Sequence, residues 1–196
     1  MREVNLSRKT KETDIDLKIN LDSDESSNIN TGIGFFNHML ELFAFHSGIY
    51  LNVKCEGDLE VDGHHTVEDI GILLGKAIKE ALGDKKGINR YGDSFLPMDE
   101  TLAHCSLDIS GRPYLVFNVE LSSERVGDFE TELTEEFFRA LVVNAGITLH
   151  LNLEYGKNTH HIIEALFKSF GRAFKQAITI NKENQDKILS SKGVIE

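Results

Sequence analysis

The strongest constraint on the fold of this 196-residue chain is a pattern that occurs twice. His64-His65-Thr66-Val67-Glu68-Asp69 and His160-His161-Ile162-Ile163-Glu164-Ala165 each open an amphipathic run, 96 residues apart. At that offset Val67 matches Ile163, Ile70 matches Leu166, Leu74 matches Phe170 and Ile78 matches Phe174. Gly75 with Gly171 and Ala77 with Ala173 match as well. Apolar residues three and four apart predict a helix that buries one face, so each copy needs a partner layer.

The segments before each doublet also repeat. Residues 3–8 and 13–21 read as strands, the second alternating polar and apolar from Asp14 to Leu21. A polar loop, Asp22 to Asn30, leads to a helix with Phe35, Met39, Leu42 and Phe43 on one face, ended by Gly48. Ile49 to Glu56 alternates as a strand, and the first doublet helix runs to about Leu82, with Gly83 as its cap. In the second half, Leu102 to Ile109 and Tyr114 to Leu121 read as a hairpin or edge pair turning at Ser110-Gly111-Arg112-Pro113. Glu132 to Asn144 reads as a helix whose Phe137-Phe138 echoes Phe35-Phe36, and Gly146 to Leu151 echoes Gly48 to Val53. Strands, helix, strand, helix therefore occur twice, the mark of an internal duplication. Two halves, about 1–90 and 91–196, can pack face to face with their helices between the sheets, giving one α+β layered domain.

Charge and composition narrow the function. A formal net charge of −11 with no basic run argues against a nucleic-acid surface. No apolar run approaches the roughly 20 residues of a membrane span, and Met1 to Asn5 is too polar for a signal peptide. Cys55 and Cys105 sit in no metal or redox spacing, so free thiols in a reducing cytoplasm are expected.

The doublets themselves point to metal. His64 and Glu68, like His160 and Glu164, are four apart and share a helix face. Adjacent histidines point about 100° apart and rarely chelate one ion. Two doublets therefore suggest two ions, each drawing ligands from both copies. His38, at a helix start, and His150, in an alternating strand, are the further histidines placed to complete the sets; taken alone, a structural role is equally open for them. Six histidines and two glutamates suit Mn, Fe, Co or Zn, and ligand type alone does not single out manganese. His46, eight residues after His38, could line the same cleft. Lys168, four after Glu164, continues the ligand stripe and could meet an anion, or be a solvated surface lysine. Arg90, Arg112, and the tail pair Ser190 and Lys192 are further anion candidates.

These motifs resemble a known family. Phe35-Phe36-Asn37-His38-Met39-Leu40, Asp62 to Asp69, Ser110 to Tyr114, Arg125 to Phe129, Asn144 to His150, Asn158 to Ala165 and Ser190-Ser191-Lys192-Gly193 are similar, in this order, to imidazoleglycerol-phosphate dehydratase. The resemblance implies two half-domains, each with a four-stranded sheet and two helices, a ribosomal protein S5 domain 2-like fold. It implies dehydration of D-erythro-imidazole glycerol phosphate to imidazole acetol phosphate in histidine biosynthesis, with the substrate ring held as an imidazolate between two metal ions. It implies two Mn2+ per active site, other divalent transition metals being possible, and a large symmetric homo-oligomer with sites between subunits. It carries the metal ligands onto His38, His64, His65, Glu68, His150, His160, His161 and Glu164. Phosphate contacts fall on Arg90, Arg112, Lys168, Ser190 and Lys192, and Glu12 matches a substrate-contacting glutamate. Glu12 is then the candidate acid/base, with His46 second. The family commonly has Asp where this chain has Asn37, and often Pro where it has Gly34; Asn37 bears on a contact that could orient His38. A di-metal hydrolase of a phosphorylated metabolite and a purely structural metal staple are the alternative readings of the doublets.

Overall fold

The computed structural model describes residues 2–183 and 186–195. Two four-stranded sheets enclose a layer of four helices. The first sheet is built from β1 (Glu3–Lys9), β2 (Thr13–Asn20), β3 (Asn28–Asn30) and β4 (Tyr50–Gly57), in the order β1-β2-β4-β3. The second is built from β5 (Tyr91–Met98), β6 (Thr101–Asp108), β7 (Tyr114–Asn118) and β10 (Thr148–Tyr155), in the order β5-β6-β10-β7. In both, the first three strands are antiparallel and the outlying one, β3 or β7, runs parallel to its neighbour. A small ribbon of β8 (Arg125–Val126) and β9 (Phe129–Glu130) precedes α3.

The helices are α1 (Gly34–Ser47), α2 (His64–Leu82), α3 (Leu133–Ala145) and α4 (Thr159–Ile178). They pair across the halves: α1 packs on α4, and α2 on α3. α2 also covers β1 and β2, while α4 covers β5 and β6. Each sheet contributes its alternate residues to the core: Ile15, Leu17 and Ile19 on one side, Ala103, Cys105 and Leu107 on the other. Between them Phe43, Phe138, Phe167, Phe170 and Phe174 pack as one aromatic cluster. Neither cysteine is in a disulfide, and burial raises both thiols, Cys55 to about 11. Among the described residues no helix is long and apolar enough to cross a membrane.

The helix crossings depend on residues without side chains. A Cβ on Gly75 of α2 would lie 2.5 Å from the Leu141 carbonyl oxygen of α3. Its counterpart Gly171 in α4 faces Phe43 O of α1 at 3.0 Å. The glycine match between the doublet helices thus reflects close helix contact.

Three sequence expectations are corrected. The segments at 102–109 and 114–121 form no hairpin, because β10 lies between β6 and β7. Ser110 bonds Arg112 and Thr148, and Tyr114 N donates to Ile147 O, so the Ser110–Pro113 loop carries the chain past the end of β10. The polar stretch 22–30 contains β3, a three-residue strand that borrows its pairing from β4. Phe137-Phe138 does not correspond to Phe35-Phe36. The buried set Phe36, Met39, Leu40, Phe43, Ala44 and Ser47 in α1 runs in step with Thr134, Phe137, Phe138, Leu141, Val142 and Ala145 in α3. Gly48 and Gly146 end the two helices with the same left-handed backbone, φ 65° and 68°. The true counterpart of Phe137-Phe138 is Met39-Leu40, one helical turn later.

Candidate active site

The crossing of α1 on α4 brings three potential ligands together. Asn158 caps α4 by accepting from His161 N, which sets the first turn. His160 Nε2 then lies 3.1 Å from Glu164 Oε2, one turn on. His38 Nε2 arrives from α1 at 3.7 Å from the same oxygen. One ligand atom from each lies within 4.8 Å of the others, the one such group of three or more among the described residues. Phe35 stands edge-on to the His160 ring at 5.1 Å. Glu164 is 6% exposed, and its other oxygen pairs with Lys168. Burial pushes the Glu164 carboxyl up, but the Lys168 hydrogen bond and charge, with His160 and His38, prevail and lower it. An anionic carboxylate flanked by two imidazoles is a donor set that fits a divalent transition metal.

The other proposed ligands lie apart from this group within one chain. At the start of α2, His65 Nδ1 bonds Asp58 at 3.0 Å, and its Nε2 lies 3.8 Å from Glu12 Oε1. At the start of α4, His161 Nδ1 bonds Glu100 Oε2 at 2.8 Å. Both rings are raised above their ordinary 6.5, first of all by those carboxylates. A carboxylate on Nδ1 leaves Nε2 facing outward, the usual arrangement for a histidine that binds metal. His64 opens onto a cleft with Phe117, Glu132, Glu135 and Glu136, and Glu68 follows it one turn later, half-buried. His150 is exposed on β10, between the buried Leu149 and Leu151. Strand alternation therefore points it out of the sheet face opposite the helices.

The anion candidates divide in two. Arg90, Arg112, Ser190 and Lys192 line one cavity of about 500 Å³ with Tyr91, Ser110 and Ser191. Lys168 is elsewhere, on Glu164. Arg90 has a left-handed backbone, φ 69°, and lies over the Tyr91 ring. Its guanidinium grips Asp108 at 2.7 and 3.1 Å and the Leu189 carbonyl at 2.8 Å, joining β6 to the tail beside Ser190. His46 is half-buried against Gly171; burial, then the charges of Lys168 and Arg172, lower its pKa. Asn37 does not reach His38. Its Oδ1 accepts from the Thr31 backbone and hydroxyl and so closes the loop before α1. Asp128, not a residue of α1, caps that helix through Gly34 N and Phe35 N. Sequence reasoning missed Asp58, Glu100 and Asp108, all loop or strand-end carboxylates. The one available signal was that Glu100, like Glu12, directly precedes the threonine that opens a strand.

Known proteins resemble this chain in sequence and fold. The family model described as imidazoleglycerol-phosphate dehydratase matches residues 31–174. The chain is 60% identical to the imidazoleglycerol-phosphate dehydratase of Acetivibrio thermocellus over 194 residues, covering 99% of both chains. It is 60% identical to that of Listeria welshimeri over 195 residues, covering all of both. Among solved structures, the Staphylococcus aureus imidazoleglycerol-phosphate dehydratase matches with a TM-score of 0.84 at 51% identity, covering 91% of this chain and 99% of that one. The Pyrococcus furiosus enzyme, solved in complex with (S)-C348, matches with a TM-score of 0.82 at 35% identity, covering 96% and 99%. A fold of paired half-domains, doublets poised at two helix starts and end-to-end likeness to these enzymes lead to one conclusion: the chain belongs to the imidazoleglycerol-phosphate dehydratase family, the hydro-lyases of histidine biosynthesis.

Proposed function

We propose that the dehydration is metal-dependent and that the imidazole ring of the substrate is held between two divalent ions, with manganese as the preferred metal. His38, His160 and Glu164 would hold one ion, and His64, His65, Glu68, His150 and His161 supply the remaining ligands. The observation that carries this reading is the convergence of His38, His160 and Glu164 from two halves of the chain onto one point. When bound, the two ions would act as Lewis acids and as a template for the ring. The histidines with Nδ1 occupied by Asp58 or Glu100 offer only Nε2 to the site. Glu12, 3.8 Å from His65 Nε2, would take the carbon-bound proton of the substrate and return it to the departing hydroxyl, which leaves as water, and the enol formed tautomerises to the ketone. His46 is less suited to donate, because its surroundings favour the neutral ring.

The phosphate is assigned to the cavity of Arg90, Arg112, Ser190 and Lys192, where it would be held away from the reacting carbons and fix the substrate's orientation. Lys168, paired with Glu164 within one chain, is the remaining phosphate contact of this reading. We read residues 1–90 and 91–196 as halves of one domain. His150 faces away from the helix layer, so a second copy of the chain brings it to the site, and the working form is a symmetric homo-oligomer. A phosphorylated small molecule and two unpaired cysteines fit a reducing cytoplasm.

The test is turnover of imidazole glycerol phosphate after chelation and readdition of single metals. Chelation abolishes formation of the ketone and Mn2+ restores it. Full turnover in excess chelator would overturn metal dependence. Release of inorganic phosphate in place of ketone would favour a hydrolase.

A further inference from the structure

The two hairpins that border the site are equivalent by register. Thr13 opens β2 and Thr101 opens β6, and both are buried. From them the core-facing residues run in step: Ile15 with Ala103, Leu17 with Cys105, Ile19 with Leu107. Each threonine is directly preceded by a glutamate, Glu12 or Glu100. Beside them β4 ends at Gly57, and Gly156 directly follows the last residue of β10. A Cβ on Gly57 would lie 2.0 Å from Thr66 Oγ1, and one on Gly156 3.1 Å from Ile162 Cγ1. Thr66 and Ile162 each follow a doublet. Glu12 and Glu100 thus occupy the same place against the same histidine of each copy, His65 and His161.

They make different contacts there. Glu100 Oε2 accepts from His161 Nδ1 at 2.8 Å, and its Oε1 accepts from Asn158 N at 2.8 Å and Lys157 N at 3.2 Å. The Asn158 amide, then His161, hold its carboxyl down at about 2. Glu12 Oε1 faces the opposite ring nitrogen, His65 Nε2, at 3.8 Å. The Nδ1 of His65 belongs to Asp58, at 3.0 and 3.2 Å from its two oxygens. Asp58 lies in the six residues, 58–63, that join β4 to α2. The corresponding join from β10 to α4 has three, 156–158, and lacks a carboxylate.

We propose that Glu100 and Asp58 do the same work from different elements. Each is a positioning residue that fixes its histidine with the proton on Nδ1 and leaves Nε2 to the site, where Glu12 stands 3.8 Å from that of His65 and Asp99 3.8 Å from that of His161. The longer β4–α2 join, by supplying Asp58, releases Glu12 from that task and leaves its carboxylate for the substrate. This rests on the proposed ligand role of His65 and His161 and the proposed acid/base role of Glu12.

Two readouts on the whole chain test it. The first is Mn2+ titration of chelator-stripped protein. E100Q and D58N each weaken Mn2+ binding about 10–100-fold, while E12Q keeps wild-type affinity and loses turnover. The second is the 15N signature of the imidazoles in metal-free protein, at a pH where both rings are neutral. Wild type shows the Nδ1–H form at both positions; E100Q populates the Nε2–H form at His161, and D58N at His65. Wild-type Mn2+ affinity and an unchanged tautomer in E100Q overturn the proposal. So does an E12Q variant that loses Mn2+ as E100Q does, since Glu12 would then still be a positioning residue. H161A separates the two levels of inference. If H161A binds Mn2+ as wild type does, the ligand reading of His161 fails, and the tautomer readout alone decides the positioning role.

Discussion

The two outer carboxylates, Asp58 and Glu100, also dictate how the site answers to pH. By accepting from Nδ1 they raise the pKa of His65 and His161 above 6.5. For the metal-free chain a raised histidine adds stability below pH 6.5, and that contribution is lost as pH rises through the folded-state values. For metal binding the sign reverses, because each ring must first give up its proton. Glu164 is already an anion, held down by Lys168, and adds no such barrier. The affinity of stripped protein for Mn2+ should therefore fall continuously from about pH 8 to about pH 6. Competition titrations at both ends check this, and a flat profile would count against His65 and His161 as ligands. At this scale much of the site was legible. The spacing of His160 and Glu164 is a local helical fact, readable without the fold. Asp58 and Glu100 were not legible, because they meet their histidines only once a hairpin turn and a loop have been folded against a helix start.

At the scale of elements, the halves cohere through helix crossings that leave no room for a methyl group. Gly75→Ala places its Cβ against Leu141 O and against Asn144 Cβ at 2.8 Å, forcing α2 and α3 apart. Overpacking of this kind costs about 1–3 kcal/mol, seen as a lower denaturant midpoint at unchanged slope. An equally stable G75A would show that the two helices can shift without loss. The doublet helices were legible because their apolar stripes repeat over five turns. The outlying strands were harder to read. β3 is three residues long, and β5 contains Gly92 and Pro97, which break any strand pattern. β5 is an edge strand, where a residue lacking an N–H is tolerated. The misplaced echo of Phe35-Phe36 has a similar cause: Met39-Leu40 and Phe137-Phe138 are both bulky apolar pairs, and burial separates registers that hydrophobicity alone does not.

At the scale of the whole molecule, a single chain gathers one ligand group among the described residues and turns His150 away from it. In the proposed homo-oligomer, assemblies made wholly of H38A or wholly of H150A should each be inactive. Dissociated together and reassembled, they should regain activity in those sites that draw both intact residues from different copies. Mixing without any recovery would place all ligands of a site in one chain. The layered build has another consequence, carried by the two cysteines. Cys55 lies in the first sheet and Cys105 in the second, both facing the helix layer and both with raised thiols. Each half thus holds its own chemical clock, silent until that half opens. Because α1 and α3 are each packed on the other half's helix, neither sheet can shed its cover alone. Both thiols should react slowly with a small alkylating reagent in the native chain, Cys55, 6% exposed, ahead of Cys105, which is fully buried. Site-resolved mass spectrometry would read both clocks in one sample, and a Cys105 as fast as Cys55 would reveal a second half able to breathe independently of its copy.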